Sequence, residues 1–262
     1  MLKWFQHIQG GNHMPFLEFN YRSDAMNKLV NVNVILPADA SKPYKTVFLL
    51  HGLGGDQTAW MRETSIERYA KDYNIAVVMP NVDRSWYTDT AYGANYFTYV
   101  AKELPRVCRS YFKNMSDKRE DTFVAGLSMG GYGAVKIALL CHDTFGGCGA
   151  LSATLDIILR DKLHPVNQKK GIFGFDIESY EDIRGTDHDL FSLIKKKHSE
   201  GIKMPKMYLW CGDDDPNFDP YERYHALLNE LDIEHLYEHS EGDHSWKWWD
   251  LHIQDALKYL LK

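Results

Sequence analysis

The stretch Asp121-Thr122-Phe123-Val124-Ala125-Gly126-Leu127-Ser128-Met129-Gly130-Gly131-Tyr132-Gly133 decides how the rest of the chain is read. Residues 122–125 are apolar or β-branched and suit a buried strand, and residues 132–141, YGAVKIALLC, suit a helix. Between them stands G-x-S-x-G, with Gly126, Ser128 and Gly130 in its fixed places. A serine oxygen is a weak nucleophile and has to be presented to a base and to a carbonyl carbon together. A sharp strand-to-helix turn lifts it out of the sheet. The positions two before and two after the serine then crowd each other, so glycine, with no Cβ, fits there. The helix start leaves N–H groups unpaired, and that of Met129 is a candidate to face a developing oxyanion. Alone, the motif also fits a glycine-rich turn with a surface serine, so its partners have to be sought elsewhere in the chain.

The first partner lies upstream. Thr46–Leu50, TVFLL, is a continuous apolar run that predicts a central parallel strand, and it leads into His51-Gly52-Leu53-Gly54-Gly55. Glycines there let backbone amides face a ligand, and the N–H of Leu53 would complete an oxyanion hole with that of Met129. His51 is expected to fix this loop by hydrogen bonding rather than to act as the base, which this arrangement places late in the chain. Met207–Cys211, MYLWC, predicts a further strand, ending in Gly212-Asp213-Asp214-Asp215-Pro216. An acid that orients a histidine belongs in such a loop. Asp215 is the choice, Asp214 the alternative, and Asp213 reads as a solvated side chain. After a last strand over Ile233–Glu238 comes Glu241-Gly242-Asp243-His244-Ser245-Trp246 and then an amphipathic helix with Trp249, Ile253, Ala256 and Leu260 on one stripe. His244 is the candidate base, and Ser245 a candidate cap for that helix. The order Ser128, Asp215, His244 is that of the α/β-hydrolase fold: a mostly parallel central sheet, helices on both faces and, here, an N-terminal antiparallel edge predicted from Phe16–Tyr21 and Leu29–Leu36.

The remaining stretches bear on substrate and organisation. The aromatic loop 81–95 makes Trp86 and Tyr87 candidates for the substrate-pocket wall, with ordinary packing under the loop as the equal alternative. Tyr96–Phe112 predicts a helix that Pro105 should kink or break. Residues 154–204 are the least regular part and read as a small cap insertion over the site, or as a surface excursion. No repeat or linker divides the chain, so a single domain over residues 14–262 is expected, with 1–13 a leader, a tag or a frayed lead-in.

Composition agrees with one enzyme-sized core: 262 residues, 44% hydrophobic, formal net charge −6. No basic cluster suggests nucleic acid, no apolar run is long enough to span a bilayer, and MLKWFQHIQGGNHM, with no apolar h-region, is not expected to be a secretory signal. The four cysteines, 108, 141, 148 and 211, form no C-x-x-C pair or metal-ligand pattern and read as free thiols in a reducing cytoplasm. No metal or cofactor is called for, and oligomeric state is not readable.

With these residues in place, the sequence resembles the esterase D-like family of serine esterases, which includes S-formylglutathione hydrolases, tributyrin-type esterases and feruloyl or acetylxylan esterases. The resemblance rests on LLHGLGG (49–55), SWYTDTAYG (85–93), ELP (103–105), AGLSMGGYGA (125–134), CGDDD (211–215) and GDHSWKWW (242–249). It is nearest to the tributyrin-esterase group of small carboxylesterases. The resemblance implies Ser128 as nucleophile, Asp215 as acid, His244 as base, the Leu53 and Met129 amides as oxyanion hole, and a small-molecule ester with a short acyl group as substrate. Pro216-Asn217-Phe218 departs from the aromatic and aliphatic residues common after the family's acid. S-formylglutathione hydrolysis, feruloyl or acetylated-carbohydrate esters and acyl transfer to an alcohol are the alternatives. A non-catalytic binding protein on the same scaffold is opposed by the intact elbow, acid and base.

Overall fold

Apolar runs flanked by loops become the strands of one eight-stranded sheet, in the order β1-β2-β4-β3-β5-β6-β7-β8. The computed structural model describes residues 13–159 and 171–262. The expectation for a leader over residues 1–13, apart from the exposed His13, and the middle of the expected cap lie outside them. β1 (Phe16–Ser23), β2 (Lys28–Ile35) and β4 (Ala76–Pro80) pair antiparallel. β3 (Thr46–Leu50), β5 (Thr122–Leu127), β6 (Gly147–Leu151), β7 (Lys206–Gly212) and β8 (Leu236–Ser240) run parallel, with β3 also parallel to β4.

Strands β3, β4, β5 and β6 are buried throughout because helices cover both faces. Side-chain alternation sorts each strand between two cores. Phe48, Leu50, Val124, Leu209 and Cys211 face one core, with α4 (Leu104–Tyr111), α5 (Met129–Leu140), α6 (Leu190–Ser199) and α7 (Phe218–Glu230). Val47, Leu49, Phe123, Ala125, Tyr208 and Trp210 face the other, with α1 (Ala59–Glu63), α2 (Ile66–Tyr73) and α8 (Trp246–Leu260). Elbow helix α5 is buried along nearly its whole length, so it is apolar all round, whereas α8 shows one stripe.

The expected break at Pro105 takes a different form. A short turn, α3 (Tyr96–Thr98), passes into a π-helical stretch, Tyr99–Glu103, before α4 begins. The Leu104 N–H reaches back five residues to the Tyr99 carbonyl, and Pro105 then sits in the first turn of α4, where a missing N–H costs nothing. Within the segment expected to form a cap, α6 buries Leu190, Leu193 and Ile194 in the same core as α5. Residues 171–174 dock on the aromatic loop, the Ala91 N–H donating to the Gly171 carbonyl at 2.7 Å and the Thr88 hydroxyl to that of Ile172.

Candidate active site

Three strand ends and one loop converge on Ser128. The serine stands between β5 and α5 with φ 52° and ψ −117°, a backbone region that costs a non-glycine residue about 1–3 kcal/mol. The glycines explain how it is held. A Cβ on Gly126 would lie 2.6 Å from the Gly130 backbone, and one on Gly130 only 2.4 Å from the Leu50 carbonyl oxygen. The crowding therefore extends beyond the serine's own neighbours to the end of β3, which brings the 51–55 loop against the elbow. The backbone of that loop passes close to Ser128: a Cβ on Gly52 would be 3.5 Å from that of Ser128.

The loop is tied from beneath. His51, almost fully buried, donates from Nδ1 to the Gly52 carbonyl at 2.8 Å and accepts the Val82 N–H at Nε2 at 3.1 Å. Burial pushes its pKa down, so it stays neutral in this double role. The Tyr87 hydroxyl donates to the His51 carbonyl at 2.9 Å. Leu53 lines the open cleft beside Ser128, and Met129 is the first residue of α5. Among the described residues, no backbone group accepts a hydrogen bond from either N–H.

Asp215 and His244 arrive on neighbouring loops at the far end of the sheet. The Asp213 N–H bonds the Ser240 carbonyl and the Asp214 N–H that of Gly242, both at 2.9 Å, so the two loops move as one. A Cβ on Gly212 would meet the Gly242 carbonyl oxygen at 2.2 Å, which is why glycine is needed at this crossing. Of the three aspartates, Asp215 is the one that turns inward. Its Oδ2 accepts from His244 Nδ1 at 2.8 Å and its Oδ1 from the Asn217 N–H at 2.8 Å. Asp214 is exposed, and Asp213 pairs with exposed His239 at 2.7 Å. His244 Nε2 lies 3.1 Å from Ser128 Oγ. The Asp215 side chain has no exposed surface, while that of His244 is 29% exposed. The carboxylate is thus shielded from water while the imidazole opens to the cleft.

That cleft, about 600 Å³, is lined by the Gly52–Gly55 turn, Asp56, Arg62 and Glu63 on one bank and by His244, Trp246 and Trp249 on the other. Trp86 and Tyr87, read as pocket wall or equally as packing under the loop, do not line this cleft. Both are buried in the core. Trp86 packs edge-on against Tyr132 at 5.7 Å, and Tyr87 fills the notch that Gly133 leaves in α5, where a Cβ would lie 2.5 Å from its ring. The aromatic wall comes instead from the stretch after the histidine. Trp246 meets Trp60 and Trp249 edge-on at 5.2 and 5.3 Å, and Trp249 meets the His244 ring at 4.9 Å. Its signal was visible in GDHSWKWW, whose tryptophans follow the histidine by two, four and five residues. The capping role expected of Ser245 is also absent: its hydroxyl turns to Asp243, and its carbonyl receives the Trp248 and Trp249 N–H groups. Among the described residues, no cluster of three or more His, Cys, Asp or Glu side chains could hold a metal ion, and no helix is long and apolar enough to cross a membrane.

Known proteins resemble this chain over nearly its whole length. Residues 23–260 match the Esterase family. An acetyl esterase of Caldicellulosiruptor saccharolyticus is 32% identical over 268 residues, covering 95% of this chain and 99% of that protein. Among solved structures, fluorophosphonate-binding serine hydrolase F of Staphylococcus aureus superposes with a TM-score of 0.86 at 35% identity, over 95% of this chain and 99% of that one. An S-formylglutathione hydrolase of the same species gives 0.86 at 36%, over 95% and 100%. With the elbow, the sheet and these likenesses together, the chain belongs to the Esterase family of α/β-hydrolase-fold proteins, and it is a carboxylic ester hydrolase.

Proposed function

We propose that the protein hydrolyses esters of short acyl groups through an acyl-enzyme on Ser128. The observation that carries this reading is the unbroken hydrogen-bonded run from Ser128 Oγ through His244 to Asp215. Ser128 Oγ attacks the ester carbonyl carbon while His244 Nε2 takes its proton. The resulting oxyanion rests on the Leu53 and Met129 N–H groups. As the tetrahedral intermediate collapses, the C–O bond to the alcohol breaks and His244 returns the proton to the leaving oxygen. Water, deprotonated by the same histidine, then attacks the acyl carbon and frees Ser128. Asp215 keeps the proton on Nδ1, so that Nε2 faces Ser128 as a base.

Because His244 must protonate the leaving oxygen, the bank carrying His244, Trp246 and Trp249 belongs to the alcohol. Residues 154–204 are proposed as a small insertion shaping the pocket, and the segment starts beside the elbow, where the Thr154 N–H bonds the Ser128 carbonyl. The short acyl preference has support from the 32%-identical acetyl esterase. A second reading, hydrolysis of S-formylglutathione, draws on the 36%-identical relative of that name and on the charged bank of Asp56, Arg62 and Glu63. Four free thiols suit a reducing compartment such as the cytoplasm.

Initial rates on p-nitrophenyl esters from acetate to decanoate, for wild type and Ser128→Ala in parallel, test the proposal. A peak at the short end that vanishes in the variant is expected. Turnover retained by Ser128→Ala refutes the mechanism, and a rate on S-formylglutathione far above that on every simple ester selects the second reading.

A further inference from the structure

The three side chains of the site come from different loops, yet their supports meet at one residue outside them. Ser152 follows β6 directly and is fully buried. Its φ is 47°, a left-handed value that non-glycine residues hold only where the surroundings enforce it. Its N–H bonds the Trp210 carbonyl at 2.8 Å. Its carbonyl accepts the Asn217 side-chain amide at 3.0 Å, and the Asn217 N–H in turn fixes Oδ1 of Asp215. Its hydroxyl accepts the Trp249 indole N–H at 2.9 Å, and that indole is the edge-on wall for the His244 ring. The same turn grips the nucleophile: the Ser128 N–H bonds the Leu151 carbonyl at 2.9 Å, and the Thr154 N–H bonds the Ser128 carbonyl at 3.3 Å.

We propose that Ser152 is a positioning residue for ester hydrolysis, the common anchor that sets the Asp215 carboxylate through Asn217 and the His244 imidazole through Trp249, relative to a serine held by the same turn. The proposal rests on the roles given above to Ser128, His244 and Asp215. The geometry has a clear energetic reason. An indole N–H buried without an acceptor is costly, so Trp249 keeps the one orientation that reaches Ser152. A rigid indole then leaves the imidazole one resting place. An ångström of drift at a reacting group costs on the order of a hundredfold in rate, so small changes in this anchor should be visible in turnover.

Ser152→Ala keeps the backbone and removes only the hydroxyl that Trp249 needs. Trp249→Phe cuts the same hydrogen bond from the other end and keeps an aromatic edge toward His244. Measured on p-nitrophenyl acetate, each variant should lower kcat about tenfold, with KM for Ser152→Ala within about twofold of wild type. The double variant should fall no further than the worse single one, because both break one link. The decisive readout is the leaving group. Nitrophenolate departs without protonation, whereas an alkoxide needs His244 as an acid, so the loss in kcat/KM, which reports the acylation step, should be several-fold larger on an alkyl acetate than on the aryl ester. Partial unfolding would lower both rates by one common factor. Equal losses on the two esters, additive losses in the double variant, or wild-type rates in both single variants overturn the inference. Should Ser152→Ala fail to fold, Trp249→Phe alone decides by the same ratio. Ser128→Ala, run alongside, separates the failures: turnover there refutes the site itself, while its loss with unchanged Ser152→Ala kinetics refutes only the anchor.

Discussion

Lys136 is a charge in the wrong place, and replacing it should change how stability depends on pH. It lies on α5 among core residues and is 2% exposed. Its Nζ donates to His188 Nδ1 at 2.9 Å and to the Tyr87 carbonyl at 3.4 Å, with the Phe97 and Tyr132 rings 5.4 and 5.8 Å away. The anions that favour its charge act from a distance, and both are engaged elsewhere: Asp89 holds Thr98, and Asp187 pairs with Lys196 at 3.0 Å. Burial therefore dominates and lowers the lysine from 10.5 to about 7. The sign follows from linkage. Between the two values the unfolded chain holds a proton that the folded chain has shed, so stability rises with pH across that window and is lowest below it. At about 1.4 kcal/mol per pH unit the full difference is roughly 5 kcal/mol, of which roughly 3 kcal/mol falls between pH 7 and 9.5. Lys136→Met removes the titration but keeps the volume. The variant should be the more stable protein at pH 7, and its advantage should shrink by roughly 3 kcal/mol by pH 9.5. Urea unfolding at half-unit pH steps measures this, provided the slope m is shared. Buried thiols and tyrosines titrate in both proteins and cancel. His188, held at about 3 by burial and by Lys136, titrates below the window. A stability gap that is flat with pH, or that widens, refutes the reasoning.

Other perturbations follow from the site geometry. In Asp215→Asn the Asn217 N–H keeps the side-chain oxygen, so the amide NH₂ faces His244 Nδ1, forcing the proton onto Nε2; kcat should fall about 10⁴-fold, while Asp214→Asn stays near wild type. Gly130→Ala drives a methyl into the Leu50 carbonyl oxygen at 2.4 Å, which should destabilise the protein by on the order of 3 kcal/mol and abolish fluorophosphonate labelling. Trp246→Ala strips the outer wall of the alcohol bank, and KM for aryl esters should rise more than KM for methyl esters in steady-state assays.

The fold was legible because its signals are local. TVFLL and the G-x-S-x-G turn each depend on neighbours a few residues away, and β3 occupies the residues expected of it. Asp215 could be preferred over Asp214 by register, but what separates them physically is that one carboxylate is enclosed and the other is not. The sequence left the aromatic loop between pocket wall and ordinary packing because burial is not local. A loop rich in aromatics reads as a rim, yet the notch that takes Tyr87 is created by Gly133 on an element 46 residues later in the chain. Ser152 carries no sequence signal at all. It matters through a side chain nearly a hundred positions away, and only the folded sheet brings Trp249 to it.

The order of strands has a consequence for how the enzyme fails. Among the described residues β8 has a neighbour only on its β7 side and is the least buried of the parallel strands, and His244 hangs from the loop where it ends. Ser128 is rooted between β3 and β6, in the middle of the sheet. Fluctuations that peel back the rim, which cost less than melting the centre, separate base from nucleophile while the core stays intact. With Ser128 and His244 in the roles proposed, activity is expected to fall before the core unfolds on warming or in urea, and to return when the rim closes.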